Sequence, residues 1–535
     1  MHRALRALIS LSIAGAAAIA ALWAVASLTW PFGWDHGAFA WVGDVIVRGG
    51  MPYRDAFDVK GPLSFYPSAL VQLVTGRGAW GIRLFDLVLL LAAAAVVFRV
   101  ASRFAGRAAG IGAAGVWVLA YANTGFMNTA QPDGWVAWIL LLAAAPFLLG
   151  DPRPGPLRFA ILGAGVAVTA LLKPHYAAFL VVPAAAIACD PRPEARTRQA
   201  LAVAAGFLAP IALWLGVAAA TGSFSAYVDA FIRFNSAKNS AGLLGAVATS
   251  LSYGALADPA LLVAFPIAVA AIPLVARIDR RAGWLLGAWV GVALPLVLLQ
   301  RPYYPYRLHI LTPVLAILAA SFLAMPDRDG TAIPGAPSRG ALAGTFLLLA
   351  LATFGRFPLG EAVRAARFVA GRISAESHYA RYASWHATAA DERAAAAFIT
   401  DSLPPGPVLA WNHPAVAFLA GRPAAGRFQI ETPVSARLAP ALRDRYLRLL
   451  EAELGEHPPS VVVTEDTLGT GGACLACLPP FAALGEKGAA LAAPFSLRFQ
   501  AGTIVVYARG SSATTGELRG IYSRAVREAE SLEAR

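Results

Sequence analysis

The stretch from Asp35 to Lys60 is crowded with ionisable side chains: Asp35, His36, Asp44, Arg48, Arg54, Asp55, Asp58 and Lys60. Carboxylates of this kind take protons from hydroxyls or bind cations, while lysine and arginine hold anions such as phosphate. Gly37, Gly49, Gly50, Pro52, Gly61 and Pro62 cut the stretch into short helices joined by fixed turns. Asp35 follows an apolar run through Trp30, Phe32 and Trp34, an aromatic belt that sets it near membrane level. An ionisable group at that depth tends to be buried in protein or to line a wet cavity, because exposure to lipid is costly. The competing reading is a solvated loop whose charges carry no chemistry.

Other candidates are scattered further along. Arg83 and Asp86 sit one helical turn apart and would serve as a local ion pair. Asp133, in Gln131-Pro132-Asp133, is either a helix cap or a site acid. Lys173, in Lys173-Pro174-His175-Tyr176, interrupts an apolar region; it either snorkels to the surface or meets an anion. In the tyrosine-rich stretch Gln300 to His309, the tyrosines fit an interfacial belt. Arg301, Arg307 and His309 could close around an anionic headgroup, and aromatic neighbours such as Tyr306 would hold Arg307 in place.

What positions these groups is a membrane. The chain has 535 residues, of which 58% are hydrophobic and only 14% charged, with mean hydropathy +0.60. Too few polar groups remain to clothe a soluble surface. Apolar runs near 7–29, 79–102, 108–123, 134–150, 158–173, 175–189, 200–221, 257–276, 283–300, 308–325 and 340–358 predict about eleven spans. The first run is read as a retained helix rather than a cleaved signal, since no polar cleavage region follows it. The net charge of +13 does not point to nucleic acid. Arginines collect in one set of short loops (Arg103 and Arg107; Arg192, Arg196 and Arg198; Arg277, Arg280 and Arg281), which marks those loops as cytoplasmic. The elaborate loops, 30–78 first among them, then face outward.

Beyond residue 358 the texture becomes soluble. A helix is expected over 391–403, a strand from Val408 to Trp411, a helix from Pro414 to Ala420, a buried strand from Ser460 to Thr464 and a hairpin between Phe495 and Ala508. The expected fold is therefore a polytopic α-helical membrane protein with a small C-terminal α/β extracytoplasmic domain. The boundaries are 1–358 for the membrane part, including the loop 30–78, and 359–535 for the outer part. Cys474 and Cys477 lie in that outer part, where a local disulfide is favoured over zinc, because no second pair completes a tetrahedral site.

The stretch Trp34-Asp35-His36-Gly37 through Pro52-Tyr53-Arg54-Asp55-Ala56-Phe57-Asp58-Val59-Lys60-Gly61-Pro62 resembles the first outer loop of the GT-C glycosyltransferases. The likeness is to the bacterial relatives of protein O-mannosyltransferases and lipid A aminoarabinose transferases, glycosyltransferase family 39-like. The segment from Trp411 to Arg422 is similar to the C-terminal part of the same group; its other reading is ordinary α/β packing.

The resemblance implies a GT-C fold in a bacterial inner (plasma) membrane, with transfer of a sugar from a polyprenyl-phosphate donor to a glycan, lipid or protein acceptor on the outer face. It implies Asp35 as the base and Lys60 as a ligand of the donor phosphate, with Lys173 reaching the carrier phosphate and Arg307 and Arg301 beside it. Lys173 and Arg307 are then expected to meet the first loop at the outer membrane face. Asp55, Asp58, Asp133, His36, His309 and Tyr306 would support the site. Two departures stand out: Gly61-Pro62 where relatives often carry two prolines, and His36 where a second acid is common. A divalent metal stays open, since Asp35 and Asp133 are suitable ligand types but no spacing demands one. The rival readings are a transporter or flippase for a lipid-linked or anionic substrate, and a ligase or polymerase using diphosphate-linked donors. Polar groups gathered at the outer ends of the spans, rather than in broken helices at mid-membrane, favour the transferase.

Overall fold

Long Ala- and Leu-rich runs without charge satisfy their backbone groups internally only as helices, and helices dominate the computed structural model. The structure describes residues 2–151, 153–238, 259–300, 304–324, 350–384, 386–434, 440–466, 469 and 472–510. The chain forms two compact units. One comprises Met1–Ser27, Leu84–Val217 and Ala241–Val363; the other comprises Leu28–Arg83, Ala218–Ser240 and Arg364–Arg535.

In the first unit the helix His2–Ala26 packs on Arg107–Asn123, and Pro132–Leu148 packs on Pro156–Leu172. Pro259–Ile278 lies against both Arg280–Leu299 and Thr312–Ala324. Small residues permit the closest approaches: a Cβ at Gly163 would run into the backbone of Val203 on the helix Arg196–Ala220. Among the described residues, Ser10–Thr29, Ala79–Ala105, Pro193–Ala220 and Arg280–Leu299 are long and apolar enough to cross a membrane. Pro132–Leu148, Pro156–Leu172, Pro174–Ala188, Phe265–Ile278 and Thr312–Phe322 are shorter apolar helices. Three arginines of the basic loops are tied down by carboxylates: Arg103 pairs with Asp279 at 2.7 Å, and Asp190 takes Arg192 at 3.0 Å and Arg281 at 3.6 Å. The run expected at 340–358 lies mostly outside the described residues.

In the second unit the charged first loop packs with C-terminal chain. Helix Trp34–Val47 approaches helix Pro414–Leu419 so closely that a Cβ on Gly37 would sit 2.8 Å from the Cβ of Ala415. The Phe57 amide donates to the Arg427 carbonyl at 2.8 Å, and the Phe57 ring contacts Phe234, Phe428 and Tyr446. Arg77 donates to the Phe418 carbonyl at 2.7 Å and pairs with Asp44 at 2.6 Å; Arg48 binds the same carboxylate at 2.8 Å.

A four-stranded sheet runs in the order Val408–Ala410, Val461–Glu465, Ile504–Arg509, Phe495–Ala501. The first pair is parallel, with Leu409 opposite Val462, and the others are antiparallel, with Val463 opposite Val506. The unbroken apolar runs of the inner strands suit burial on both faces. Helix Ala389–Ser402 covers one face through Phe398 and Ile399. A disulfide joins Cys474 and Cys477.

Candidate active site

Helix Trp34–Val47 places Asp35 in its first turn, where the positive end of the helix suits a carboxylate. Its Oδ1 accepts from Lys60 Nζ at 2.6 Å, a charge-assisted bond between side chains 17% and 20% exposed. Burial is incomplete, so both groups remain reachable from outside. The ammonium also lies 5.1 Å from the Phe39 ring and 5.9 Å from Trp34, and this aromatic wall limits where it can swing. Asp58 is buried. One of its carboxylate oxygens accepts from the Lys60 amide at 2.9 Å; the other finds no hydrogen-bond partner among the described residues. Burial raises the Asp58 pKa, and the nearby Lys60 charge opposes that rise.

Two residues expected to support the site have local structural work. His36 caps its own helix: Nδ1 accepts from the Gly33 amide at 3.0 Å. Asp55 closes a turn by accepting from the Met51 amide at 2.7 Å and pairs with Arg54 at 2.7 Å; the bond to Arg54 is the main reason its pKa is lowered.

The first unit holds a second cluster. Asp133 lies in the first turn of Pro132–Leu148, but the cap position is Gln131, and the Asp133 side chain does not turn back to cap the helix. It accepts from Lys173 Nζ at 2.6 Å and from the Tyr176 hydroxyl. The reason is local. Pro174 forbids helix at the residue before it, so Lys173 is extended (φ −151°, ψ 125°) and ends the helix Pro156–Leu172. Lys173 Nζ stands 5.4 Å from the Tyr306 ring, which stacks on Tyr304 at 5.2 Å.

Arg307 is 6% exposed, with its guanidinium 5.5 Å from the Tyr304 ring. Its Nε and Nη1 are buried and have no hydrogen-bond partner among the described residues. Buried guanidinium N–H groups are costly to leave unmet, so this side chain is suited to receive an anion. His309, two residues on, is buried: its Nε2 lies 3.1 Å from the Asn128 carbonyl oxygen and its ring 4.6 Å from that of Tyr121. Arg301 lies outside the described residues. Among the described residues no three His, Cys, Asp or Glu side chains group so as to hold a metal ion.

No family model matches the sequence, and no curated protein does. Solved structures do match. The chain is similar to ArnT from Cupriavidus metallidurans bound to undecaprenyl phosphate, at TM-score 0.57 and 16% identity, covering 94% of this chain and 98% of that one. The apo state of ArnT gives TM-score 0.57 and 17% identity over 95% and 100% of the two chains. The fold is GT-C.

Some polar groups of this chain escaped sequence reasoning. Tyr176 was named only as the end of the stretch Lys173-Pro174-His175-Tyr176, yet its hydroxyl donates to the Asp133 carboxylate. Asp86, read as the local partner of Arg83, accepts from the Tyr121 hydroxyl at 2.8 Å and from Trp135 Nε1 at 3.0 Å. Neither tyrosine carries a sequence signal that separates it from an ordinary aromatic.

His413, in the stretch that resembles the C-terminal part of the family, is buried between two acids. Nδ1 lies 3.1 Å from Glu392 and Nε2 3.2 Å from Glu465. Burial alone would lower the imidazole pKa, but the two carboxylates outweigh it and raise it to about 9. A folded pKa above the unfolded value of about 6.5 stabilises the fold fully below pH 6.5, and that stabilisation is lost as pH climbs towards 9. At pH 7 it is roughly 2–3 kcal/mol. Thermal melts of His413→Gln should therefore fall well below wild type at pH 6.5, with the gap closing by pH 10. A gap independent of pH would mean that His413 is not charged in the fold.

Proposed function

We propose that this chain is a membrane glycosyltransferase that moves a sugar from a polyprenyl-phosphate donor to an acceptor hydroxyl outside the cytoplasm. The observation that carries the reading is the Asp35–Lys60 pair, a partly exposed carboxylate bonded to an ammonium on the first loop of a GT-C fold. That ArnT is found with undecaprenyl phosphate supports a carrier of this type.

The chemistry needs little else. The acceptor oxygen attacks the anomeric carbon, the bond from that carbon to the phosphate oxygen breaks, and the electron pair leaves with the phosphate. Asp35 takes the proton from the acceptor. Phosphate is a good leaving group, so no general acid is needed; positive charge stabilises it as it departs. Lys60, Lys173 and Arg307 are assigned to that task, with Arg301 as a further ligand. Tyr306 walls Lys173, and Asp133 orients it. A single displacement by one carboxylate inverts the anomeric centre, in contrast to the two-carboxylate retaining route.

The reading assigns about eleven spans, a bacterial inner-membrane location, and an outward-facing C-terminal α/β part from residue 359. The acceptor is a cell-envelope glycan, lipid or protein. The test is transfer by the purified protein from a panel of polyprenyl-phosphate sugars, with the anomeric configuration of the product read by NMR. Inverted product from one donor supports the reading. Movement of the carrier across a vesicle without transfer would favour a flippase, and retained configuration would overturn the single displacement.

A further inference from the structure

Lys60 is held at its backbone as well as by Asp35. Its amide donates to Asp58 Oδ1 at 2.9 Å, and its carbonyl accepts from the Tyr53 hydroxyl at 2.6 Å. Both main-chain polar groups of the lysine are therefore fixed by side chains from the same loop. Tyr53 and Asp58 are each 1% exposed. Tyr53 also adopts a left-handed backbone (φ 70°), uncommon and strained for a bulky residue. The ring is wedged against Phe65 and Tyr227, so its hydroxyl has little freedom to point elsewhere. Gly61 and Pro62 follow at once and begin a short 3-10 turn, which leaves the Lys60 peptide at the end of the fixed segment.

From this geometry we propose that Tyr53 and Asp58 form a clamp on the Lys60 main chain that sets the reach of its ammonium, making both positioning residues for the donor phosphate. The assignment of the phosphate rests on the transferase reading above; the clamp itself does not. What Asp58 contributes is an acceptor oxygen rather than a negative charge. Asparagine keeps that oxygen, whereas alanine removes it.

Two readouts separate the clamp from the reaction. The first is competitive acetylation of Lys60 by acetic anhydride, followed by mass spectrometry, which reports the freedom of the ammonium without any substrate. Tyr53→Phe and Asp58→Ala should each raise the Lys60 labelling rate about tenfold, the equivalent of losing a hydrogen bond that organises the segment. Asp58→Asn should return it to within about threefold of wild type. The second is steady-state transfer, where the same two variants should raise the donor KM about tenfold and leave the acceptor KM unchanged. Unchanged labelling in Tyr53→Phe and Asp58→Ala overturns the clamp. Raised labelling with an unchanged donor KM overturns its role in donor binding. Asp58→Asn behaving like Asp58→Ala shows that charge, not the acceptor oxygen, is what matters. A wild type that transfers no sugar defeats the transferase reading, and the clamp then stands or falls on the labelling alone.

Discussion

Asp35→Asn should slow sugar transfer by about a thousandfold while leaving the protein folded and able to bind carrier. Asparagine has the size and shape of aspartate and can still accept from Lys60 Nζ, so the 2.6 Å contact is weakened rather than lost. The pair is part-exposed at 17% and 20%, and partly solvated ion pairs contribute on the order of 1 kcal/mol or less. The melting temperature should therefore move by only a few degrees. What asparagine cannot do is accept the proton of the acceptor hydroxyl. Lys60→Met makes the contrasting case. It leaves the carboxylate but removes the cation proposed to meet the phosphate, so undecaprenyl phosphate should bind more weakly in Lys60→Met and near normally in Asp35→Asn. Turnover by Asp35→Asn within about threefold of wild type would remove the base assignment. Equal loss of carrier affinity in both variants would mean that the two residues act as one structural unit.

The fold was legible where one physical signal dominates. Hydropathy marks the long helices Ala79–Ala105 and Arg280–Leu299 because lipid tolerates no other backbone arrangement there. Apolar runs rich in Val marked the strands Val461–Glu465 and Ile504–Arg509. Less legible was anything that depends on chain folding back over long distances. The bond from Phe57 N to the Arg427 carbonyl joins the first loop to distant C-terminal chain, and no local pattern announces it. His36 looked like a missing acid and turned out to be a cap, because a neutral imidazole can accept from Gly33 where the chain enters the helix. In the site, Asp35 and Lys60 could be named from one loop. The partners of Lys173 could not, since Asp133 lies forty residues earlier on another helix. Residue type says that a buried ammonium needs an anion; only the packing of Pro132–Leu148 on Pro156–Leu172 says which.

That pair yields the second large effect. Asp133 is 1% and Lys173 17% exposed at the side chain, so water makes up poorly for the loss of either partner. Breaking such a buried pair costs about 3–5 kcal/mol, whereas replacing both with apolar side chains of similar volume is often neutral. Asp133→Leu should therefore unfold far more readily than wild type in detergent, since it removes the carboxylate that pairs with Lys173 at 2.6 Å and accepts from the Tyr176 hydroxyl. Lys173→Met should be destabilised in the same direction. The double variant Asp133→Leu/Lys173→Met should recover to within about 1–2 kcal/mol of wild type, a coupling that a double-mutant cycle measures directly. Turnover should not follow stability. If Lys173 serves the donor phosphate, the double variant regains its fold but not its transfer rate, because a methionine brings no charge to the leaving group. A double variant as fragile as the single ones would show that the two side chains do not depend on each other. One that is both stable and fully active would confine Lys173 to holding the helices together.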